Sequence, residues 1–209
     1  LYEPSSAGGR APLLVVAFAA QGPGMQQWIA PCAAARAAGL PLDVLYLADP
    51  SNSYYLQDPR GEWRGVEHYA ELIRAHSRHY GDGVVIVGSS MGATAALLHA
   101  DLAGTALAFS PRVDLRRSHG TSVPPSVAAA CLDTVKSASK TSRGSVRVHV
   151  GAGNAVDMMQ VAHLRGYTDS VQVIEHHTFH HNVPMFLERE GKLVALFKHT
   201  LAELLERIV

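Results

Sequence analysis

The chain has 209 residues, 47% of them hydrophobic, enough for one compact core and short for two. Eighteen basic residues balance eighteen acidic ones, so no global field favours nucleic acid or an anionic membrane. Two cysteines, Cys32 and Cys131, give neither a disulfide framework nor a zinc-ribbon spacing.

Residues 1–12 are rich in Pro, Gly and Ser and read as a loose lead-in, with residues 13–209 forming a single domain. Leu13 to Ala19 (LLVVAFA) is a nearly continuous apolar run, as in a parallel strand buried on both faces. Even extended to Ala20, it falls far short of the roughly 20 residues that cross a bilayer, and it lacks the form of a signal peptide. A cytoplasmic setting is therefore expected, and a start at Leu1 without methionine fits a processed product or an excised domain. The turn Ala20-Gln21-Gly22-Pro23-Gly24 leads to a helix through Met25, Trp28, Ile29 and Cys32 to Ala38, stopped by Gly39. Pro31 must kink that helix or lie in its first turn.

Leu42 to Ala48 is a second strand, and the loop after it, Asp49 to Gly65, is long, polar and aromatic. Tyr54, Tyr55 and Trp63 in that loop either stack on a substrate (a sugar, an aromatic acyl group or an alkyl chain) or pack the loop on itself. Val66, Tyr69, Leu72, Ile73, His76 and Tyr80 then recur at helical spacing until Gly81.

The most pointed stretch is VVIVGSSMGATAALL, residues 84–98. Val84 to Val87 reads as a buried strand, Gly88-Ser89-Ser90-Met91-Gly92 as a sharp turn, and Ala93 to Leu98 as a small-residue helix. Gly88, Ser90 and Gly92 fit G-x-S-x-G, which makes Ser90, rather than Ser89, the candidate nucleophile. The competing reading is a phosphate cradle with the Ser90 hydroxyl capping the helix. The chain has no G-x-x-x-x-G-K-[ST] or G-x-G-x-x-G pattern here, which weighs against that.

On these residues the chain resembles the α/β-hydrolase superfamily. The later elements are compatible with that resemblance. Thr105 to Phe109 is a fourth strand, a helix follows Pro124-Pro125 over Val127 to Lys140, and Val146 to Gly151 is a fifth strand. Asp157 to Leu164 is a short helix, Val171 to His176 a sixth strand, and Leu193, Leu196, Phe197, Leu201, Leu204, Leu205 and Ile208 form a helical stripe. Such alternation implies an α/β fold, a three-layer sandwich of about six mostly parallel strands with helices on both faces. Sites in such sheets form outside the carboxyl ends of the strands.

The resemblance implies the order serine, acid, histidine. It makes Asp157, behind the fifth strand, the acid, with a helix N-cap as its other reading and Asn154 as substitute. It places the base among the histidines after the sixth strand, favouring His180 or His181 over His176 and His177. Asn182-Val183-Pro184 resembles the junction into the next helix and tips the choice to His181. The implied oxyanion donors are the backbone N–H groups of Met91 and Ala20.

Four histidines so close also suggest a metal, but without H-E-x-x-H or a companion ligand at diagnostic spacing none is expected. Arg112, Arg116, Arg117 and His119 form a local basic cluster that reads as a solvated face. His68, His76, His79, His99, His149, His163 and His199 read as structural. The implied activity is that of a small serine hydrolase with little or no lid, acting on an ester, thioester or related acyl bond without a cofactor. Two alternatives stay open: transfer of the acyl group to a sugar or other alcohol, and a silent hydrolase-like binding protein. The expected partner is a small acyl substrate; oligomeric state is left open.

Overall fold

The computed structural model describes residues 1–5, 11–22, 26–117 and 123–208. Residues 6–10 of the lead-in, the turn residues Pro23 and Gly24, the helix residue Met25, and His119 lie outside the described residues, as does the Arg117 side chain.

Among the described residues six strands run parallel: β2 (Leu13–Phe18), β3 (Leu42–Leu47), β4 (Val84–Ser89), β5 (Thr105–Phe109), β6 (Ser145–Gly151) and β7 (Val171–His176). A seventh, β1 (Tyr2–Glu3), pairs antiparallel with β3 at the sheet edge, giving the order β1-β3-β2-β4-β5-β6-β7. The start of the lead-in is thus not loose. The Tyr2 hydroxyl donates to Asp43 at 3.1 Å, and Arg36 forms a 3.2 Å ion pair with Glu3. These side-chain partners come from distant sequence, so local composition gave no sign of them.

Among the described residues the α-helices are α1 (Ile29–Ala37), α2 (Gly65–Ser77), α3 (Met91–Leu98), α4 (Pro125–Thr141), α5 (Ala155–Ala162), α6 (Val183–Arg189) and α7 (Leu193–Ile208). Period-two alternation divides β2 between two cores. Leu14, Val16 and Phe18 pack with Tyr69 and Ile73 of α2, with α3, and with Cys131 and Val135 of α4. Leu13, Val15 and Ala17 pack with Trp28 and Cys32 at the start of α1 and with Phe197 and Leu201 of α7. Helices cover both faces, as the alternation of elements requires.

Helix α1 starts at Ile29, so Pro31 falls in its first turn, where a missing N–H goes unnoticed. Helix α6 begins at the Asn182-Val183-Pro184 junction: the Asn182 side chain caps it by accepting from the Met185 N–H, and Pro184 sits in its first turn. Both cysteines are buried, and burial pushes each thiol up to about 12, which leaves them unreactive core residues. His99 stacks on Phe18 and His149 on Phe109, and burial lowers each imidazole to about 3.

The chain winds one way from β2 to β3 and the other way from β4 onward. The crevice between the carboxyl ends of β2 and β4 is the point where open parallel sheets present their sites.

Candidate active site

Ser90 stands in that crevice between β4 and α3. Its backbone is at φ 54°, ψ −116°, a left-handed conformation that costs a non-glycine residue about 1–3 kcal/mol and persists only where the surroundings enforce it. The surroundings here are tight. A Cβ on Gly88 would lie 2.0 Å from the Gly92 carbonyl oxygen, and one on Gly92 would lie 2.6 Å from the Phe18 oxygen and 2.7 Å from that of Ala19. Glycine at both positions therefore lets α3 approach the sheet closely enough to hold the turn. All eight residues of α3 are buried, which fixes the turn from the other side.

The Ser90 hydroxyl does not cap α3. Its Oγ lies 2.8 Å from His181 Nε2, and His181 Nδ1 lies 2.9 Å from both carboxylate oxygens of Asp157. An ionised carboxylate only accepts, so Nδ1 carries the hydrogen and Nε2 is free to accept from Ser90. Asp157 is fully buried and is not the cap of α5; Asn154 is, accepting from the Asp157 N–H at 3.1 Å. The Asn154 amide also donates to the Phe179 carbonyl, and the N–H groups of Ala152 and Gly153 donate to the carbonyls of His176 and Thr178. The loops that carry acid and imidazole are thus laced to each other. His180 is exposed, with its backbone N–H on the Thr178 hydroxyl.

Arg112 is the residue that sequence reasoning misjudged. It does not lie on a solvated face: its Nη2 is 3.3 Å from Asp157 Oδ1, and the side chain is 19% exposed. The 3.5 Å approach of Nη2 to His181 Nδ1 joins two donors, so the bond that holds the guanidinium is the one to the carboxylate. The Thr94 hydroxyl on α3 accepts from the Arg112 N–H at 3.0 Å and donates to its carbonyl at 2.9 Å. One residue on, the buried Gln160 of α5 accepts from the N–H groups of Val113 and Asp114 and donates to the Asp114 carbonyl. Arg112 is therefore pinned between α3 and α5. The only local hint was that its strand end adjoins the one bearing Ser90. Arg116, by contrast, is exposed and pairs with Asp114, holding that carboxyl below its ordinary range.

The aromatic loop after β3 also needs correction. Tyr55 is fully buried and Tyr54 only 8% exposed, so neither offers a face to a substrate; among the three, Trp63 keeps an exposed ring. The loop is organised by the Asp49 carboxylate, which accepts from the N–H groups of Ser51, Ser53 and Tyr55 and from two serine hydroxyls. Those bonds hold Asn52, Tyr54 and Tyr55 at positive φ, which turns the Tyr55 ring into the core against Phe18. The Tyr55 hydroxyl then donates to the carbonyls of Ala19 and Leu47, at 2.9 and 3.2 Å, bracing the turn that begins at Ala19. Among the described residues, no protein acceptor takes the N–H of Ala20 or of Met91. No group of three or more metal-ligating side chains occurs among them either, and no described helix is long and apolar enough to cross a membrane.

The family model named Esterase matches residues 67–203. No curated protein sequence matches the chain. Among solved structures the chain is similar to a monoacylglycerol lipase of Paleococcus ferrophilus, at 11% identity over 98% of each chain with a TM-score of 0.66. It is similar also to Est1E from Butyrivibrio proteoclasticus, at 10% identity over 98% of this chain and 93% of that one, with a TM-score of 0.62. A third is FphF, a fluorophosphonate-binding serine hydrolase of Staphylococcus aureus, at 12% identity over 95% and 86% of the two chains, with a TM-score of 0.59. At such identities these likenesses speak for the fold. The family match speaks for more, since it runs from α2 nearly to the end of α7: the chain belongs to the Esterase family and is a hydrolase of the α/β-hydrolase fold.

Proposed function

We propose that the chain hydrolyses carboxylic esters through Ser90, His181 and Asp157. The observation that carries this is the unbroken run of contacts from Ser90 Oγ to His181 Nε2 at 2.8 Å and from Nδ1 to Asp157 at 2.9 Å. A serine hydroxyl is a weak nucleophile at neutral pH, and a base within hydrogen-bond reach, itself oriented by a third group, is what activates it. In the first half-reaction Ser90 Oγ bonds to the ester carbonyl carbon while its proton passes to His181 Nε2. The tetrahedral adduct then expels the alcohol, which takes that proton from Nε2. Water repeats the sequence on the acyl-serine, releasing the acid and restoring the hydroxyl.

Asp157 holds the imidazole in the tautomer that leaves Nε2 open, and stabilises the imidazolium when it forms. Arg112 and Asn154 hold the acid in turn. The N–H groups of Ala20 and Met91 serve as the oxyanion donors, a reading supported by their lack of a protein acceptor among the described residues. Such a donor is worth on the order of 100- to 1,000-fold in rate. No metal or cofactor is assigned a part.

Turnover of p-nitrophenyl acetate by variants tests the assignment. Ser90→Ala and His181→Ala are each expected to lower kcat on the order of 10^5- to 10^6-fold, whereas the exposed His180→Ala stays within about threefold. Hydrolysis surviving in Ser90→Ala, or equal losses at His180 and His181, would contradict the proposal.

A further inference from the structure

A cavity of about 670 Å³ opens at the carboxyl ends of β2 and β3. In the strand order it lies on the opposite side of Ser90 from His181 and Asp157, which follow β7 and β6. Its walls are predominantly apolar and include Ala19, Ala20, Leu47, Ala48 and Ile29, the last of these 56% exposed although large and apolar. Most polar side chains on the wall are already engaged. Asp49 is consumed by its own loop, Glu3 is paired with Arg36, Asn52 accepts from the Gly22 N–H, and Gln26 donates to the Ala17 carbonyl. Gln26 Oε1 is not: it is a buried oxygen with no donor among the described residues. The wall carries two carboxylates, Glu3 and Asp49, against one ammonium, that of Leu1, which donates to the Tyr46 carbonyl, and this balance disfavours an anionic guest.

Reaction geometry decides which half of an ester faces this side. The departing alkoxy oxygen must receive the proton from His181 Nε2, so the alcohol leaves on the histidine side. The carbonyl carbon stays bonded to Ser90 Oγ with its oxygen toward the Ala20 and Met91 N–H groups, so the rest of the acyl group extends the other way, past Ala19 and Ala20. Ala19 and Ala20 are also part of the cavity's wall, so the cavity lies on the side toward which the acyl group extends. We propose that the cavity is the acyl pocket and that the substrate class is esters of neutral, apolar, medium-chain acids such as octanoic acid. The inference rests on the hydrolytic reading above. The volume is within the range of clefts that enclose small ligands and is far more than an acetyl group fills.

The test uses p-nitrophenyl acetate, butyrate and octanoate, which share one leaving group. Burying a methylene is worth up to about fourfold, the conversion of about 0.8 kcal/mol, so kcat/KM is expected to rise at least 50-fold from acetate to octanoate. Ile29→Trp and Ala48→Trp, which crowd the cavity from two elements, should each cut the octanoate-to-acetate ratio at least tenfold; Ile29 is exposed, so its variant should fold even if the other does not. Binding of octanamide to Ser90→Ala, read by calorimetry, should weaken to the same degree when either tryptophan is added. A flat chain-length profile with acetate turnover abolished by Ser90→Ala would overturn the pocket and leave the catalytic reading intact. No turnover of any ester, with octanamide still bound and displaced by the tryptophans, would retain the cavity as an apolar acyl site and overturn the catalytic reading; absence of both overturns both.

Discussion

Asp49 and Asp157 occupy comparable places, each soon after the carboxyl end of a parallel strand and each buried, at 6% and 0% exposure. Asp49 is satisfied by three backbone N–H groups and two hydroxyls of its own loop. Asp157 faces a ring nitrogen and a guanidinium, both brought from other strand ends. A carboxylate that spends its lone pairs on the local backbone fixes a shape. One that spends them on an imidazole whose second nitrogen remains free fixes a reactive group. Under the proposed mechanism, burial alone does not separate the two roles; the identity of the donors does.

The sharpest way to break this contrast is to neutralise each acid in turn. Asp157→Asn is expected to lower kcat on the order of 10^4-fold, because the amide no longer enforces the right tautomer. Asp49→Asn is expected to remove roughly 2–4 kcal/mol of stability, a fall in Tm of roughly 5–15 °C, because an amide cannot accept from donors on both sides. The larger effect on kcat should belong to Asp157 and the larger effect on Tm to Asp49, as read by steady-state kinetics and thermal unfolding. An exchange of these effects would dissolve the distinction.

The same contrast extends to the histidines. His181 faces a carboxylate, whereas His99 and His149 are buried against aromatic rings and lowered to about 3. In the unfolded chain both would titrate near 6.5, so between about pH 6.5 and 3 the unfolded state binds more protons and stability falls as pH falls. From pH 7 to pH 5 the loss should be about 2–4 kcal/mol, measured by urea unfolding, and should shrink in His99→Gln. A flat stability profile over that window would show that these rings are not held neutral by burial.

The smallest effect concerns the third member of the Asp157 cluster. Arg112→Ala should lower kcat/KM about tenfold by loosening the acid, with partial recovery in Arg112→Lys. Unchanged kinetics would make Arg112 a spectator of the acid rather than its clamp.

How much of this was legible in the chain follows from where each partner lies. The strand-turn-helix around Ser90 is written in fifteen consecutive residues, and the parallel strands in their apolar runs, so local reading reached them. Asp157 and His181 could be named from element order, because each follows a strand end at the side of the sheet where sites form. Arg112 could not be recognised, since its meaning comes from Thr94, Gln160 and Asp157, residues 18 to 48 positions away. Tyr54 and Tyr55 misled for a related reason: an aromatic pair in a polar loop resembles a binding platform until Asp49 sets positive φ and turns the rings inward. The Tyr2–Glu3 strand was hidden because its pairing and its ion pair both reach across more than thirty residues.

The central claim is that Ser90 is a nucleophile activated by His181, and covalent labelling with a fluorophosphonate tests it most directly. The account predicts one label per folded chain, mapped to the peptide bearing Ser90, absent in Ser90→Ala, slowed about a thousandfold or more in His181→Ala and unchanged in His180→Ala. A correctly folded protein that takes no label, or one that is labelled as fast without His181 as with it, would contradict the account.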